Sequence, residues 1–153
     1  MTIRTATQDD LPRLLELGQQ LHEESPRWSR IPFSRARAAQ TLTNMMLSAD
    51  GVIFVAEKGG RVVGGIAGLI QDHWACDARV AHEASFFMDP EHRGSFAACR
   101  LICSLVAWAR VRNAAWLYVG TSTGVDPETT ARLYERLGAV RCAIGLEFDL
   151  SGD

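Results

Sequence analysis

The chain of 153 residues lacks the long hydrophobic runs that mark membrane-spanning or exported proteins. No apolar run approaches the ~20 residues that a helix needs to cross a bilayer. The first ten residues, MTIRTATQDD, contain no apolar core of a signal peptide. We therefore expect no membrane partner, no leader sequence and a location in the cytoplasm.

The chain also lacks an excess of charge of one sign, because it has 16 Lys and Arg and 18 Asp and Glu, for a net charge of -2. This balance gives no basis for binding nucleic acid or an anionic membrane. Of the four cysteines, only Cys99 and Cys103 lie close together. Their spacing on a predicted helix would suit a metal, but further ligands lie in a different loop. We predict buried free thiols in a reducing compartment and no metal site.

What remains is the composition of one ordinary α/β domain over residues 1–153, with 47% hydrophobic residues and no linker or repeat. Hydrophobic periodicity predicts the element order β-α-α-β-β-β-α-β-α-β. The predicted helices begin near Asp9, Ser34, Arg93 and Asp126. The predicted strands are Thr2–Ala6, Val52–Glu57, Arg61–Ile70, Val80–Met88, Trp116–Gly120 and Ala139–Leu150. The β-β-β run favours an antiparallel meander, and the later β-α-β favours a right-handed crossover with parallel pairing.

The segment SFFMDPEHRGSFAA, residues 85–98, is the most informative part of the chain. A strand that enters a helix through a turn of small residues exposes several unpaired backbone N–H groups at the positive end of the helix dipole. Such a turn suits a phosphate or pyrophosphate, and Arg93 adds a positive charge. The small residues are Gly94, Ser95, Ala97 and Ala98. An ordinary capped β-α turn is the alternative interpretation.

Two motifs resemble those of the GNAT N-acetyltransferases. The stretch MDPEHRGSFAACRLI resembles their acyl-CoA-binding motif, Q/R-x-x-G-x-G/A after a strand, and ARLYERLGA at 131–139 resembles their later motif. The chain is most similar to the members described as phage-type. The resemblance implies the α/β GNAT fold, with a mixed central sheet of six or seven strands flanked by about four helices. It also implies an acyltransferase that uses acetyl-CoA as co-substrate.

The resemblance assigns the cofactor contacts residue by residue. Arg93 and Ala98 match the ends of the motif, while Phe96 replaces its central glycine. Because the phosphate contacts in the family are mostly backbone N–H groups, we expect binding to survive this bulk. The pantetheine arm is expected to pair with the end of the strand before the turn. The expected cofactor-binding residues are Phe86, Phe87, Met88, Arg93, Gly94, Ser95, Phe96, Ala97 and Ala98.

Tyr134, in the later motif, matches the general acid of the family. A phenol suits this role, since it can protonate a thiolate of similar basicity. The alternative is a tyrosine that only packs its ring on the core. Glu83 is the leading candidate for the general base, because partial burial in an apolar strand would raise its pKa. His82 is the competitor on the opposite face of the strand, and either residue could instead be a solvated strand position.

The sequence therefore predicts transfer of an acetyl group to a primary amine by direct attack in a ternary complex. The acceptor is an unidentified small molecule or peptide. The alternative is a catalytically inactive module of the same shape that binds acyl-CoA for regulation or assembly. Because the last predicted strand leaves an exposed edge, a homodimer is a further expectation.

Overall fold

A mixed sheet in the order β1-β2-β3-β4-β5 forms the frame of the molecule. The structure is a computed structural model that describes residues 1–151. Its strands are β1 (Thr2–Thr5), β2 (Gly51–Lys58), β3 (Arg61–Asp72), β4 (Arg79–Met88) and β5 (Leu117–Tyr118). Its helices are α1 (Leu11–Glu24), α2 (Arg35–Leu47), α3 (Phe96–Val111) and α4 (Pro127–Arg136). Short 3-10 turns cover Gln8–Asp10, Trp28–Arg30 and Pro90–His92.

The first four strands form the predicted antiparallel meander, and β5 joins parallel to β4 after the α3 crossover. The β2-β3 hairpin closes through Gly59 at φ 57° and Gly60 at φ 75°. Glycine adopts these positive φ values without the steric cost that a Cβ would add. This part of the topology agrees with the prediction from the sequence.

Helices cover both faces of the sheet, and the core divides accordingly. One apolar cluster joins α1 and α2 to the sheet through side chains such as Leu14, Ile53 and Phe87. The other joins α3 and α4 to the opposite face, where Ile66 and Leu101 are fully buried beside the ring of Tyr134. A sheet whose two faces are both buried holds its strands, and any side chain on them, in fixed positions.

Caps at predicted positions set the helix ends. The Ser34 side chain accepts a hydrogen bond from the Arg37 N–H at 3.2 Å at the start of α2. Asp126 accepts one from the Thr129 N–H at 3.3 Å, with Pro127 as the first residue of α4. Gly138 follows α4 at φ 101°. The cap at Asp126 and the turn at Gly138 fix the rotation of α4 and with it the direction of the Tyr134 side chain.

The predicted last strand, Ala139–Leu150, is wrong. Within the described residues the sheet has five strands rather than six or seven, and residues 140–150 form neither helix nor strand. We call residues 140–150 the C-terminal segment. Its sequence alternates as a strand would, but a strand forms only where a neighbour accepts its backbone hydrogen bonds.

The prediction of buried thiols fails at Cys103, which is exposed, while Cys99 is half-buried. These two residues lie on faces of α3 that the sheet does not cover. Residues 1–151 contain no group of three His, Cys, Asp or Glu side chains that could hold a metal ion. None of the helices in that range is both long enough and apolar enough to cross a membrane.

Candidate active site

The sheet opens between β4 and β5, and the predicted catalytic residues lie at this opening. The two strands pair only at Ala81 with Leu117 and at His82 with Tyr118. Beyond His82, β4 continues to Met88 with only β3 as a neighbour in the described part of the chain. The first side chain past the last paired position is that of Glu83, so a carboxylate marks the apex of the opening.

A β-bulge in β4 decides which way Glu83 faces. Gly68 pairs with Glu83 while the preceding Ala67 pairs with Ser85, so Ala84 is an extra residue in β4. An extra residue reverses the alternation of side chains along a strand. Glu83 therefore lies on the same face as Phe86, toward α3 and α4. Without the bulge it would face α1 and α2.

On that face, Tyr134 donates a hydrogen bond from Oη to Oε2 of Glu83 at 2.7 Å. The same carboxylate oxygen lies 3.5 Å from the backbone N–H of Gly120, just after β5. The Tyr134 ring lies 6.3 Å from that of Phe86, and only 4% of the tyrosine is exposed. The structure thus brings together the proposed acid and the proposed base, which the sequence separates by 51 residues.

Burial governs the protonation of both groups. It raises the pKa of Glu83 above its ordinary value, and the hydrogen bonds from Tyr134 and Gly120 offset part of that rise. Burial and the neighbouring carboxylate raise the pKa of Tyr134. The phenol is therefore fully protonated at neutral pH, while the affinity of the carboxylate for a proton is greater than that of a solvated glutamate.

His82, the competing base, lies away from this pair. Its Nε2 is 3.1 Å from Nε2 of Gln71, and its ring lies 6.0 Å from that of Tyr118. No hydrogen bond links it to Glu83 or to Tyr134 among the residues that the structure describes. The geometry therefore favours Glu83.

The turn before α3 has the free hydrogen-bond donors that an anion requires. In the described chain no acceptor meets the N–H groups of Gly94, Phe96 and Ala97. Gly94 has φ 71°, a conformation that directs the chain sharply into α3. Two buried side-chain atoms here also lack a partner, Nδ1 of His92 and Oγ of Ser95. Buried polar atoms are nearly always satisfied in native proteins, so these orphaned groups fit a bound anion such as a pyrophosphate.

Phe96 does not obstruct this turn. It is 76% exposed at the first position of α3, whereas Ala97 and Ala98 are only 1% and 3% exposed. The phenyl ring therefore points into solvent, and the small residues face the interior. The replacement of the motif glycine leaves the backbone donors accessible.

Arg93 is engaged elsewhere in the structure. Its Nη2 donates to Oε2 of Glu24, at the end of α1, at 2.6 Å. The expected contact of Arg93 with a phosphate therefore requires this ion pair to break or to be shared. Nothing in the sequence signals Glu24, which lies 69 residues before Arg93.

The end of β4 suits a backbone interaction. Phe87 and Met88 are only 4% and 8% exposed, so their side chains pack in the core. Phe86 to Met88 pair with Ile66 to Gly64 of β3 along one edge, and no strand occupies the other edge in the described residues. That free edge is available to a ligand that binds in the manner of a strand.

An apolar pocket of about 200 Å³ lies on the other face of β4, between α1 and α2. Its walls include His22, Trp28, Phe33, Ser85 and Phe87. The imidazole of His22 is fixed by a 2.6 Å contact between Nε2 and the carbonyl oxygen of Ile31. These walls come from elements that only the fold brings together.

The comparisons with known proteins agree with this geometry. Residues 15–139 match the model of the acetyltransferase (GNAT) family. An acetyltransferase of Trypanosoma brucei is similar at 25% identity and a TM-score of 0.74, over 97% of this chain and 99% of that one. A putative acetyltransferase of Agrobacterium tumefaciens has 23% identity and a TM-score of 0.77 over the same shares. The aminoglycoside 6'-N-acetyltransferase of Acinetobacter haemolyticus has 18% identity and a TM-score of 0.77 over the whole of both chains.

No protein with a curated description matches this sequence. The match over residues 15–139 covers most of the chain, so the protein belongs to the GNAT acetyltransferase family and is an acyltransferase. The mixed sheet with its four helices is the GNAT fold, as the motifs predicted. The likeness to phage-type members stays a prediction.

Proposed function

We propose that the protein transfers an acetyl group from acetyl-CoA to a primary amine by direct attack in a ternary complex. The observation that carries this proposal is the 2.7 Å hydrogen bond between Tyr134 and Glu83 at the opening between β4 and β5. A buried phenol and a buried carboxylate in contact, beside a free strand edge, supply an acid and a base at one point. Membership of an acetyltransferase family supports the same reaction.

The turn from Arg93 to Ala98 binds the pyrophosphate in this proposal, through the free N–H groups of Gly94, Phe96 and Ala97. Ser95 Oγ and the positive end of the α3 dipole add to this attraction. The free edge of β4 at Phe86 to Met88 pairs with the pantetheine arm. Acetyl-CoA supplies an acetyl group activated as a thioester. The turn and the strand edge orient it toward Glu83.

Glu83 prepares the acceptor. An alkylamine arrives protonated at neutral pH, and Oε2 of Glu83 takes one proton from it, directly or through a water. Burial raises the pKa of this carboxylate, so it is a stronger base than a solvated glutamate would be. The neutral amine then forms the new C–N bond while the C–S bond breaks.

Tyr134 completes the transfer of the proton. Its Oη donates a proton to the departing sulfur, and the proton held on Glu83 passes to Oη over the existing 2.7 Å hydrogen bond. Both residues return to their starting protonation states. The second proton of the former ammonium group leaves to solvent. The balance for each turnover is one acetamide, one free thiol and one released proton.

The pocket between α1 and α2 indicates the kind of acceptor. It opens beside Ser85 on the face of β4 opposite to Glu83, and its walls are mainly aromatic and aliphatic. We propose that it holds the apolar part of a small-molecule or peptide amine. Three similar structures are aminoglycoside acetyltransferases, but an apolar pocket does not match the many polar groups of an aminoglycoside. With four free thiols, the protein is expected to act in the reducing cytoplasm.

The experiment is a calorimetric titration with acetyl-CoA, followed by chromatographic detection of free coenzyme A in the presence of a panel of arylalkylamines and peptides. Wild type is expected to bind and to turn over at least one amine. Glu83→Gln and Tyr134→Phe are expected to bind but to turn over slowly. Binding without turnover of any amine would support the inactive binding module instead. The absence of binding would overturn both interpretations.

A further inference from the structure

The pocket between α1 and α2 offers a ligand an uncharged space. Among the described residues no Lys, Arg, Asp or Glu lines it. Its volume of about 200 Å³ exceeds the ~150 Å³ of an engineered cavity that holds one benzene molecule. Burial of a charge without a partner is far more costly than burial of an apolar ring. The pocket therefore fits a single uncharged ring and excludes the charged groups of a polyamine or an aminoglycoside.

Two aromatic neighbours hold the imidazole of His22 in the wall of this pocket. The ring lies 5.3 Å from that of Phe33, edge to face, and 6.3 Å from that of Trp28. All three side chains line the pocket, and all three residues are half-buried. Aromatic contacts of this kind restrict the orientation of a ring. The two nitrogens of His22 are therefore held in defined positions.

One nitrogen of His22 is engaged and the other is free. Nε2 lies 2.6 Å from the carbonyl oxygen of Ile31, and a carbonyl oxygen can only accept a hydrogen bond. Nε2 therefore carries the proton of the neutral imidazole, and Nδ1 has an unshared electron pair. No group within residues 1–151 donates a hydrogen bond to Nδ1. This tautomer leaves a hydrogen-bond acceptor available to a ligand in an otherwise apolar wall.

The two hydroxyl groups of the pocket are placed differently. Thr41 already donates from Oγ1 to the carbonyl oxygen of Arg37 at 3.0 Å. Ser85 belongs to β4, beside the opening that Glu83 marks from the opposite face. Because a reacting amine must reach that opening, the amine end of a ligand lies toward β4. The ring end then lies against the α1 wall, where His22 has its free acceptor.

We propose that the acceptor is an arylalkylamine whose ring carries a hydrogen-bond donor, a phenol O–H or an indole N–H, and that Nδ1 of His22 accepts from this donor. The identity of the ligand as an acceptor rests on the proposed acetyl transfer. His22 is then a specificity-determining residue. A plain phenyl ring would displace water from Nδ1 and offer no donor in return, so the pocket discriminates against it.

The first test uses p-cresol and toluene, which carry no amine and differ in one hydroxyl group, so its outcome does not depend on the reaction. Ligand-detected NMR titrations of the full-length protein measure the two Kd values. Wild type is expected to bind p-cresol about three- to ten-fold more tightly than toluene, the effect of one hydrogen bond between uncharged groups. Equal affinities, or no binding of p-cresol, would overturn the proposal.

Two substitutions of His22 separate the acceptor from the packing of the ring. Both His22→Leu and His22→Asn remove the contact with Ile31, but only asparagine keeps an acceptor, Oδ1, near the position of Nδ1. The leucine variant is expected to lose the preference for p-cresol, and the asparagine variant to retain most of it. His73→Leu, in the loop between β3 and β4, is the matched control and should keep the wild-type ratio. An equal loss in both His22 variants would show that His22 acts through packing alone and would contradict the proposal.

The second test compares tyramine with 2-phenylethylamine as acceptors of the acetyl group. Wild type is expected to favour tyramine in kcat/KM by about three- to ten-fold, chiefly through KM, and His22→Leu to abolish the difference. Acetylation of both amines at equal kcat/KM would leave the proposed function intact and overturn the role of His22. If neither amine were acetylated while p-cresol was still preferred over toluene, the proposed function would fail and the hydrogen-bond site at His22 would stand.

Discussion

Tyr134 and Glu83 share one hydrogen bond of 2.7 Å across the opening between β4 and β5. Two features position this pair. The Ala84 bulge turns Glu83 toward α3 and α4, and the cap at Asp126 sets the rotation of α4. The acid and the base are therefore adjacent members of one proton path. A change in either residue must alter the protonation of the other.

The first prediction concerns the removal of the phenol. Tyr134→Phe is expected to lower kcat by about 10²–10⁴, the range for loss of a general acid. It also removes a hydrogen bond that favours the charged carboxylate, so the pKa of Glu83 should rise further above its ordinary value. Since activity requires ionised Glu83, the acidic limb of kcat/KM should shift to higher pH. The measurement is kcat/KM across pH 4 to 9 for both proteins.

Glu83→Gln is the matched control for this pH profile, because glutamine keeps the shape of the side chain and cannot titrate. Its residual activity should lack the acidic limb altogether. If Tyr134→Phe shifted the limb to lower pH, or if Glu83→Gln retained it, the direct link between the two residues would be wrong.

The second prediction concerns the Arg93–Glu24 ion pair. Glu24 competes with a phosphate for the guanidinium, so Glu24→Gln should strengthen acetyl-CoA binding by about two- to five-fold, as expected for release of an exposed pair. Arg93→Ala should weaken it. Calorimetric Kd values at fixed ionic strength measure both effects, which should shrink as salt rises.

A double-mutant cycle tests the mechanism of this effect. On the Arg93→Ala background Glu24→Gln should leave Kd unchanged, because the charge for which it competes is gone. Glu23→Gln is the matched control, since Glu23 contacts Gln19 at 2.8 Å and not the turn before α3. An equal gain from the Glu23 variant would indicate a general charge effect and contradict the prediction.

The third prediction separates two residues of the same turn. Phe96→Ala should leave Kd for acetyl-CoA within about two-fold, because Phe96 is 76% exposed and so does not cover the turn. Gly94→Ala should weaken binding by up to about ten-fold, because a Cβ disfavours φ 71° by ~1–2 kcal/mol, so the free turn relaxes and binding has to restore the strained conformation. An added Cβ at Gly94 would meet no atom within 4 Å, so strain alone is under test. A large loss for Phe96→Ala would place the ring in the binding site.

Local signals in the sequence predicted most of the elements. Asp126, Pro127 and Gly138 mark the ends of α4 by backbone preferences that act within a few residues. The paired glycines 59 and 60 mark the hairpin in the same way. Tyr134 and Glu83 were both chosen from the sequence, and the fold places them in contact.

Features that depend on distant partners could not be predicted in this way. The Arg93–Glu24 pair joins residues 69 positions apart, and nothing near either one signals the other. The bulge at Ala84 has no glycine to mark it, although it decides the face of Glu83. The C-terminal segment has the alternation of a strand, but it pairs with no strand of the sheet within residues 1–151.

The last prediction concerns stability. Asp10 is 7% exposed, accepts two hydrogen bonds from Arg4 at 2.7 and 2.8 Å and a third from the Thr7 N–H at 2.8 Å. The bonds from Arg4 lower the pKa of Asp10 from 3.8 to about 2 in the native state. A carboxylate whose pKa is lower in the native state than in the unfolded state stabilises the native state at pH values above its unfolded-state pKa. This contribution disappears as the pH falls through the native-state pKa. Its size is about 2 kcal/mol, from the difference between the two pKa values.

Asp10→Asn should therefore lower the free energy of unfolding by about 2 kcal/mol at pH 7, and the loss should shrink between pH 4 and pH 2. Arg4 keeps Glu57 at 2.8 Å in the variant, so no unpaired charge is left behind. Urea unfolding at several pH values measures the difference, with Asp9→Asn as the control at the exposed neighbouring position. A loss that stays constant down to pH 2 would mean that Asp10 acts through its shape and not through its charge.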